Sequence, residues 1–317
     1  MEHSSRRAIL AALLANLAIA VAKVIGFAFT GAASMLAEAV HSLADTTNQG
    51  LLFLGGARAR KAATPEHPFG YGRERFFWAF VVALVIFSAG SMFALFEGVD
   101  KLRHPHKLES VGWAVGILVV SMAMEGFSFR TAVHESKRTK GDESWWRFIR
   151  RSKTPELPVV LLEDFGALIG LALALVGIGL AEITGNARFD ALGSVAIAIL
   201  LAAIAITLVV EMKSLLIGES ASPAVVARIC AAVESSDLVQ SVIHLRTEHL
   251  GPDELLVGAK VAFDTSLDVH ALAQAIDDVE ANVRAVVPEA RVIYIEPDVR
   301  KPLDAGAEAA RKEEAHG

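Results

Sequence analysis

The chain has 317 residues, is 53% hydrophobic and has a mean hydropathy of +0.46. That is too apolar for a soluble globular protein of this size. Its formal net charge of −6 carries less information than where the charges fall, and its single cysteine, Cys230, excludes an internal disulfide framework.

Six segments are long and apolar enough to span a bilayer, at about 8–29, 32–56, 76–98, 111–133, 157–182 and 189–212. About 100 residues of soluble character follow. Arg6 and Arg7 precede the first span, and Arg58, Arg60, Lys61, Arg73 and Arg75 lie between the second and third. Lys137, Arg138, Lys140, Arg147, Arg150, Arg151 and Lys153 lie between the fourth and fifth. The other side has Lys101, Arg103, Lys107 and Arg188. Basic residues concentrate on the cytoplasmic side, so both termini are expected inside. The apolar run at the N-terminus is too long for a cleaved signal peptide and reads as the first span.

In that first span, Lys23 sits near the outer end, where a lysine reaches the interface by snorkelling. The second span carries a polar stripe. Glu38, His41, Asp45 and Asn48 recur at three- and four-residue spacing, which places them on one helix face. Ionisable groups in a span face the bundle interior or a water-filled cavity. Imidazole nitrogen and carboxylate oxygen are also ordinary ligands of divalent ions. The stripe is therefore either half of a metal site or a buried polar contact between helices. The loop that follows, HPFGYGRER (His67 to Arg75), combines turn-forming glycines with a collar of arginines.

Glu97 and Asp100 in the third span read as solvated residues of the outer mouth, and His104 and His106 as surface histidines. Glu125 lies well inside the fourth span, where it belongs either to a polar path or to a structural pair, for instance with Arg130. The basic loop at about 134–156 holds Trp145, Trp146 and Phe148, the composition of an amphipathic stretch lying on the inner membrane surface. The fifth span opens with Glu163 and Asp164, which point about 100° apart on a helix. Asp190 reads as a charged cap at the outer end of the sixth.

Beyond Gly218 the pattern becomes that of a small soluble domain. Ser222-Pro223 is a helix start, with Val226, Ile229, Cys230 and Val233 at helical spacing. Strands are expected around 242–245 and 255–263. A second helix is expected over about 267–286 with Leu272, Ile276, Val279 and Val283 inward, and a last strand over 291–296. His244, His249 and His270 read first as surface or packing residues. Residues from about 301 onward read as a disordered tail.

The motif LAEAVHSLAD in the second span, followed by HPFGYGRER before the third, resembles the cation diffusion facilitator family of divalent-metal transporters. The likeness extends over roughly residues 8 to 298. It implies an α-helical polytopic membrane protein of six spans with both ends inside, plus a ferredoxin-like α+β cytoplasmic domain in α-β-β-α-β order. The expected organisation is a transport domain over 1–215, a dimerisation and regulatory domain over 216–300, and a tail over 301–317.

The resemblance assigns Asp164 to the transport site beside His41 and Asp45, with the lipid membrane, a divalent ion and protons as partners and a homodimer as the assembly. The family usually has His or Asp four residues before that aspartate; here Val160 stands there, so the fourth position falls to water, Asn48 or Glu163. His67 and His270 match accessory metal positions, but Tyr71 and Tyr294 replace their usual histidine partners, so weak accessory sites are expected. The implied function is export of Zn²⁺ in exchange for H⁺, at the inner or plasma membrane if the source is bacterial. Efflux of Mn²⁺, Fe²⁺, Co²⁺ or Ni²⁺, or a metal-sensing dimer that does not transport, are the alternatives. No resident cofactor is expected, and no nucleophile-and-base or nucleotide-loop pattern points to an enzyme or to nucleic acid.

Overall fold

Long apolar runs without internal proline form helices in lipid, because only a helix satisfies every backbone group within one segment. The computed structural model describes residues 17, 21, 24–25, 33–104 and 111–299, with side chains for all of these except 33–42, 45, 86–87 and 113–114. Lys23, His106 and the tail from 301 lie outside the described residues, as does all but four helical positions of the first span.

The membrane-type unit contains α1 (Ala33–Arg58), α2 (Glu74–Arg103), α3 (Val111–Lys140), the short α4 (Trp145–Arg151), α5 (Glu156–Thr184) and α6 (Arg188–Ile217). Among the described residues four helices are long and apolar enough to cross a membrane: α2, α3 from Val115, α5 and α6. The 26-residue helix α1 is not among them, and it is the helix with the polar stripe. Within α2, residues Val82–Phe87 form a π-helical stretch, a local widening of the coil that often marks functional segments.

Helices α5 and α6 approach at two glycines. A Cβ on Gly177 would stand 3.1 Å from the Phe189 carbonyl oxygen, and one on Gly193 3.2 Å from that of Leu173. Small residues let helix backbones close in where lipid supplies no hydrophobic drive between them. The core of this unit joins Leu52 of α1 and Phe76 and Val82 of α2 to Val159 of α5 and Leu208 and Met212 of α6.

At one end of the unit, Arg75 makes a two-pronged contact with Glu156, Nε to Oε1 at 2.6 Å and Nη2 to Oε2 at 3.0 Å. This ties the start of α2 to the start of α5. Beside it Trp78 donates to Glu74 at 2.7 Å and Arg58 lies over the Trp78 ring. At the other end of α2, Lys101 Nζ stands 3.0 Å from both Glu97 and Asp190. Asp190 lies in the first turn of α6, at the helix end where the sequence put a charged cap, and it is buried because Lys101 supplies the cation that a desolvated carboxylate needs. Glu97 is correspondingly an ion-pair partner as well as a mouth residue.

The basic loop forms a helix only over Trp145–Arg151, since α3 runs on to Lys140 with Lys137, Arg138 and Lys140 in its last turn, where cations suit the helix dipole. Phe148 and Ile149 of α4 are buried against Phe129, Val133, Leu157 and Leu161 of α3 and α5. Trp146 faces outward, and Arg150 reaches Glu211 of α6 at 3.1 Å.

A second compact unit begins at Ile217, and its described residues run to 299. Its described elements are α7 (Pro223–Val233), β1 (Val239–Gly251), β2 (Glu254–Phe263), α8 (Val269–Val286) and β3 (Val292–Asp298). Strand order is β1-β2-β3, with β1 antiparallel and β3 parallel to β2. Alternate residues of β2 (Leu255, Val257, Ala259, Val261) turn to Ile229 and Val233 of α7 and to Ala275, Val279 and Val283 of α8. Ser222 and Asp268 cap the two helices by accepting from Val225 N and Ala271 N. Burial raises the Cys230 thiol above its ordinary pKa, with Glu234 adding to the effect, so it stays protonated at neutral pH.

The Lys101–Asp190 pair gives a stability prediction. Lys101→Met should destabilise by about 1–3 kcal/mol by leaving the Asp190 carboxylate buried without its cation, and Lys101→Met with Asp190→Leu should recover most of the loss. Thermal unfolding of the detergent-solubilised protein measures both.

Candidate metal centre in the helical unit

Helix geometry places His41, Asp45 and Asn48 within about 60° of one another on α1. The side chains of His41 and Asp45 lie outside the described ones; that of Asn48 is described and fully buried. Its Nδ2 donates to Glu163 Oε2 of α5, joining the stripe-bearing helix to the fifth span. Among the described residues its Oδ1 has no hydrogen-bond partner.

Asp164, the next residue, points elsewhere, as the 100° step requires. It is buried, with 6% of its surface exposed, and its Oδ2 accepts a hydrogen bond from Ser128 Oγ of α3 at 2.8 Å. The rings of Phe129 and Phe165, neighbours of these two residues, pack at a centroid distance of 6.1 Å. The fifth span thus directs one carboxylate to α1 and the adjacent one to α3.

Ser128 was not among the residues singled out in the sequence, although a signal was present. Ser121, Glu125 and Ser128 recur at i, i+4 and i+7, a polar stripe on α3 that parallels the one on α1. Glu125 is half-buried and has a partner. Val160 packs against the apolar core and offers no ligand atom.

The accessory candidates stand apart. His67 is exposed, its ring 4.6 Å from that of Tyr71, and its backbone N–H is 3.0 Å from the Thr64 carbonyl oxygen. His270 is exposed in the first turn of α8. His244 accepts from Arg246 at 2.7 Å, and Lys260, on the neighbouring strand, binds Glu296 and Asp298 at 3.2 Å each. Those hydrogen bonds raise the Lys260 pKa. Among the described residues no three His, Cys, Asp or Glu side chains converge on a metal-sized position.

A family model described as the cation efflux transmembrane domain matches residues 9–217. The chain belongs to the cation diffusion facilitator, or cation efflux, family. This is a family of transporters, not of enzymes, and membership makes the chain an integral, multi-pass membrane protein. The family member is 36% identical over 245 residues to the Xenopus laevis "Proton-coupled zinc antiporter SLC30A9, mitochondrial", covering 76% of this chain and 44% of that protein. It is 29% identical over 272 residues to "Metal tolerance protein C4" of Arabidopsis thaliana, covering 85% of this chain and 59% of the relative. The chain spans less than half the length of the SLC30A9 relatives it matches. A solved nickel form of the MamM CTD is 24% identical, with a TM-score of 0.24, over 25% of this chain and all of that one.

The Ser128 contact generates a prediction for this member. A hydroxyl that fixes a ligating carboxylate raises metal affinity without touching the ion. With Asp164 as a ligand of the transported ion, the role proposed below, Ser128→Ala should raise the KM for metal transport about tenfold with little change in kcat, and Ser128→Thr should restore it.

Proposed function

We propose that this protein exports a divalent metal ion, foremost Zn²⁺, from the cytoplasm in exchange for H⁺. The observation that carries the reading is Asp164, a carboxylate held in the interior of an apolar helix bundle at the position where the family motif places its fifth-span ligand. His41 and Asp45, on the face of α1 that includes the buried Asn48, complete the core of the ligand set. Six spans with both ends inside, a transport domain over 1–215, a cytoplasmic domain over 216–300 that pairs two copies, and a tail over 301–317 complete the organisation.

The chemistry couples ion to proton. Metal ligands must be deprotonated, so ion and protons compete for the same atoms of His41, Asp45 and Asp164. Moving one charge through 100 mV involves about 2.3 kcal/mol, so exporting a dication from a negative interior costs roughly 4.6 kcal/mol. A returning proton offsets about half of this and a pH gradient adds more; uniport would run inward. The relatives' names, a proton-coupled zinc antiporter and a metal tolerance protein, support this reading.

A second reading keeps the mechanism and changes the ion. Oxygen atoms of Asn48, Glu163 and Asp164 dominate the described surroundings, and such a setting suits Mn²⁺ as well as Zn²⁺. Competition between the two ions in one assay separates these readings.

The test is pH-gradient-driven Zn²⁺ uptake into proteoliposomes by the wild type and by Asp45→Ala and Asp164→Ala. Each substitution should reduce the rate at least about a hundredfold. Uptake that persists in both variants would contradict the ligand assignment. No uptake by folded wild type would leave the non-transporting sensor reading.

A further inference from the structure

Three ligands leave one position of a tetrahedral shell open, and Val160, at the place of the family's usual fourth residue, cannot fill it. We propose that Glu163, steered by Asn48, is the fourth ligand of the transported ion, and that the Asn48 amide oxygen lies at the edge of the same shell. The proposal rests on the assignment of His41, Asp45 and Asp164 to the transport site.

Two observations carry it, and helix geometry permits it. The first is the direction of Glu163. Its carboxylate meets Asn48 Nδ2, on the face of α1 that also bears His41 and Asp45, whereas Asp164 is held by Ser128 of α3. The second is Asn48 itself. It is fully buried, its amide nitrogen is used by Glu163, and its Oδ1 has no partner among the described residues. A buried acceptor in that state calls for a partner, and a cation is the one that the carboxylate beside it favours.

On α5 Val160 lies about 40° from Asp164 and about 60° from Glu163, one turn, or about 4.5 Å, along the axis from Glu163. A glutamate arm is long enough to bring a carboxylate to the position that a histidine at 160 would reach. The Asn48 contact then has a purpose beyond joining two helices: it orients a movable carboxylate toward the stripe.

Replacing the usual nitrogen by oxygen changes selectivity. The shell keeps one imidazole nitrogen, from His41, and takes its other donors from oxygen, which narrows the advantage of Zn²⁺ over Mn²⁺.

The experiment uses the full chain in proteoliposomes, with Zn²⁺ and Mn²⁺ as probes and KM and kcat as readouts. Glu163→Gln keeps an oxygen that accepts from Asn48 but removes the charge. It should raise the KM for Zn²⁺ at least about tenfold. Val160→His added to Glu163→Gln should restore Zn²⁺ transport and shift the preference away from Mn²⁺. A Glu163→Gln variant with the wild-type KM for both ions would overturn the proposal and leave Asn48–Glu163 as a helix-joining contact. If Glu163→Gln fails to fold, Val160→His alone decides: completion of the shell by nitrogen should raise the Zn²⁺/Mn²⁺ ratio, and an unchanged ratio overturns the proposal. Asp164→Ala, run in parallel, separates the two levels of argument. Full transport by that variant removes the underlying site, while its loss together with a silent Glu163→Gln removes only this inference.

Discussion

Everything in the helical unit depends on how carboxylates are kept inside an apolar bundle. An ionised carboxylate away from water is costly unless hydrogen bonds or opposite charge compensate it. The chain supplies three kinds of compensation at three places. Asp190 has a lysine, Asp164 a serine hydroxyl and Glu163 an amide. The lysine, shared with Glu97, anchors α6 to α2. The hydroxyl and the amide are neutral donors that orient a carboxylate.

The helices around these groups are arranged to hold them still. Gly177 and Gly193 let α5 and α6 come together closely, and the two acidic residues of α5 are directed to α1 and α3. Arg75 and Glu156 secure the start of α5, the end nearer Glu163. Phe148 and Ile149 of α4 pack over the α3–α5 seam, next to the segment that carries Ser128 and Asp164. Packing and hydrogen bonds together hold these side chains in place, which is the support that the proposed ion site requires.

Much of this was readable in the sequence, and the remainder has physical reasons for being hidden. Hydropathy alone located the long helices, and the switch from continuous apolar runs to the periodicity around Ile229, Val257 and Val279 located the second unit. Periodicity also put His41, Asp45 and Asn48 on one face. It could not say that Glu163 turns to Asn48 and Asp164 to Ser128, because the partner of a side chain depends on how helices distant in sequence are packed. Ser128 was missed because a serine in a span usually bonds to its own backbone, as Thr131 does to Phe127. The lysine partner of Asp190 was hidden for a related reason: it is 89 residues away in sequence.

The central claim is that one ion and the protons it displaces share the same side chains, and the most direct measurement is of both at once. Proteoliposomes loaded with a pH-sensitive dye and given an acidic lumen should take up Zn²⁺ and alkalinise together. The two rates should hold a fixed ratio across zinc concentrations, and the alkalinisation should stop when external Zn²⁺ is chelated. Zinc entry with no change in lumenal pH, once proton leak is subtracted, would contradict the account.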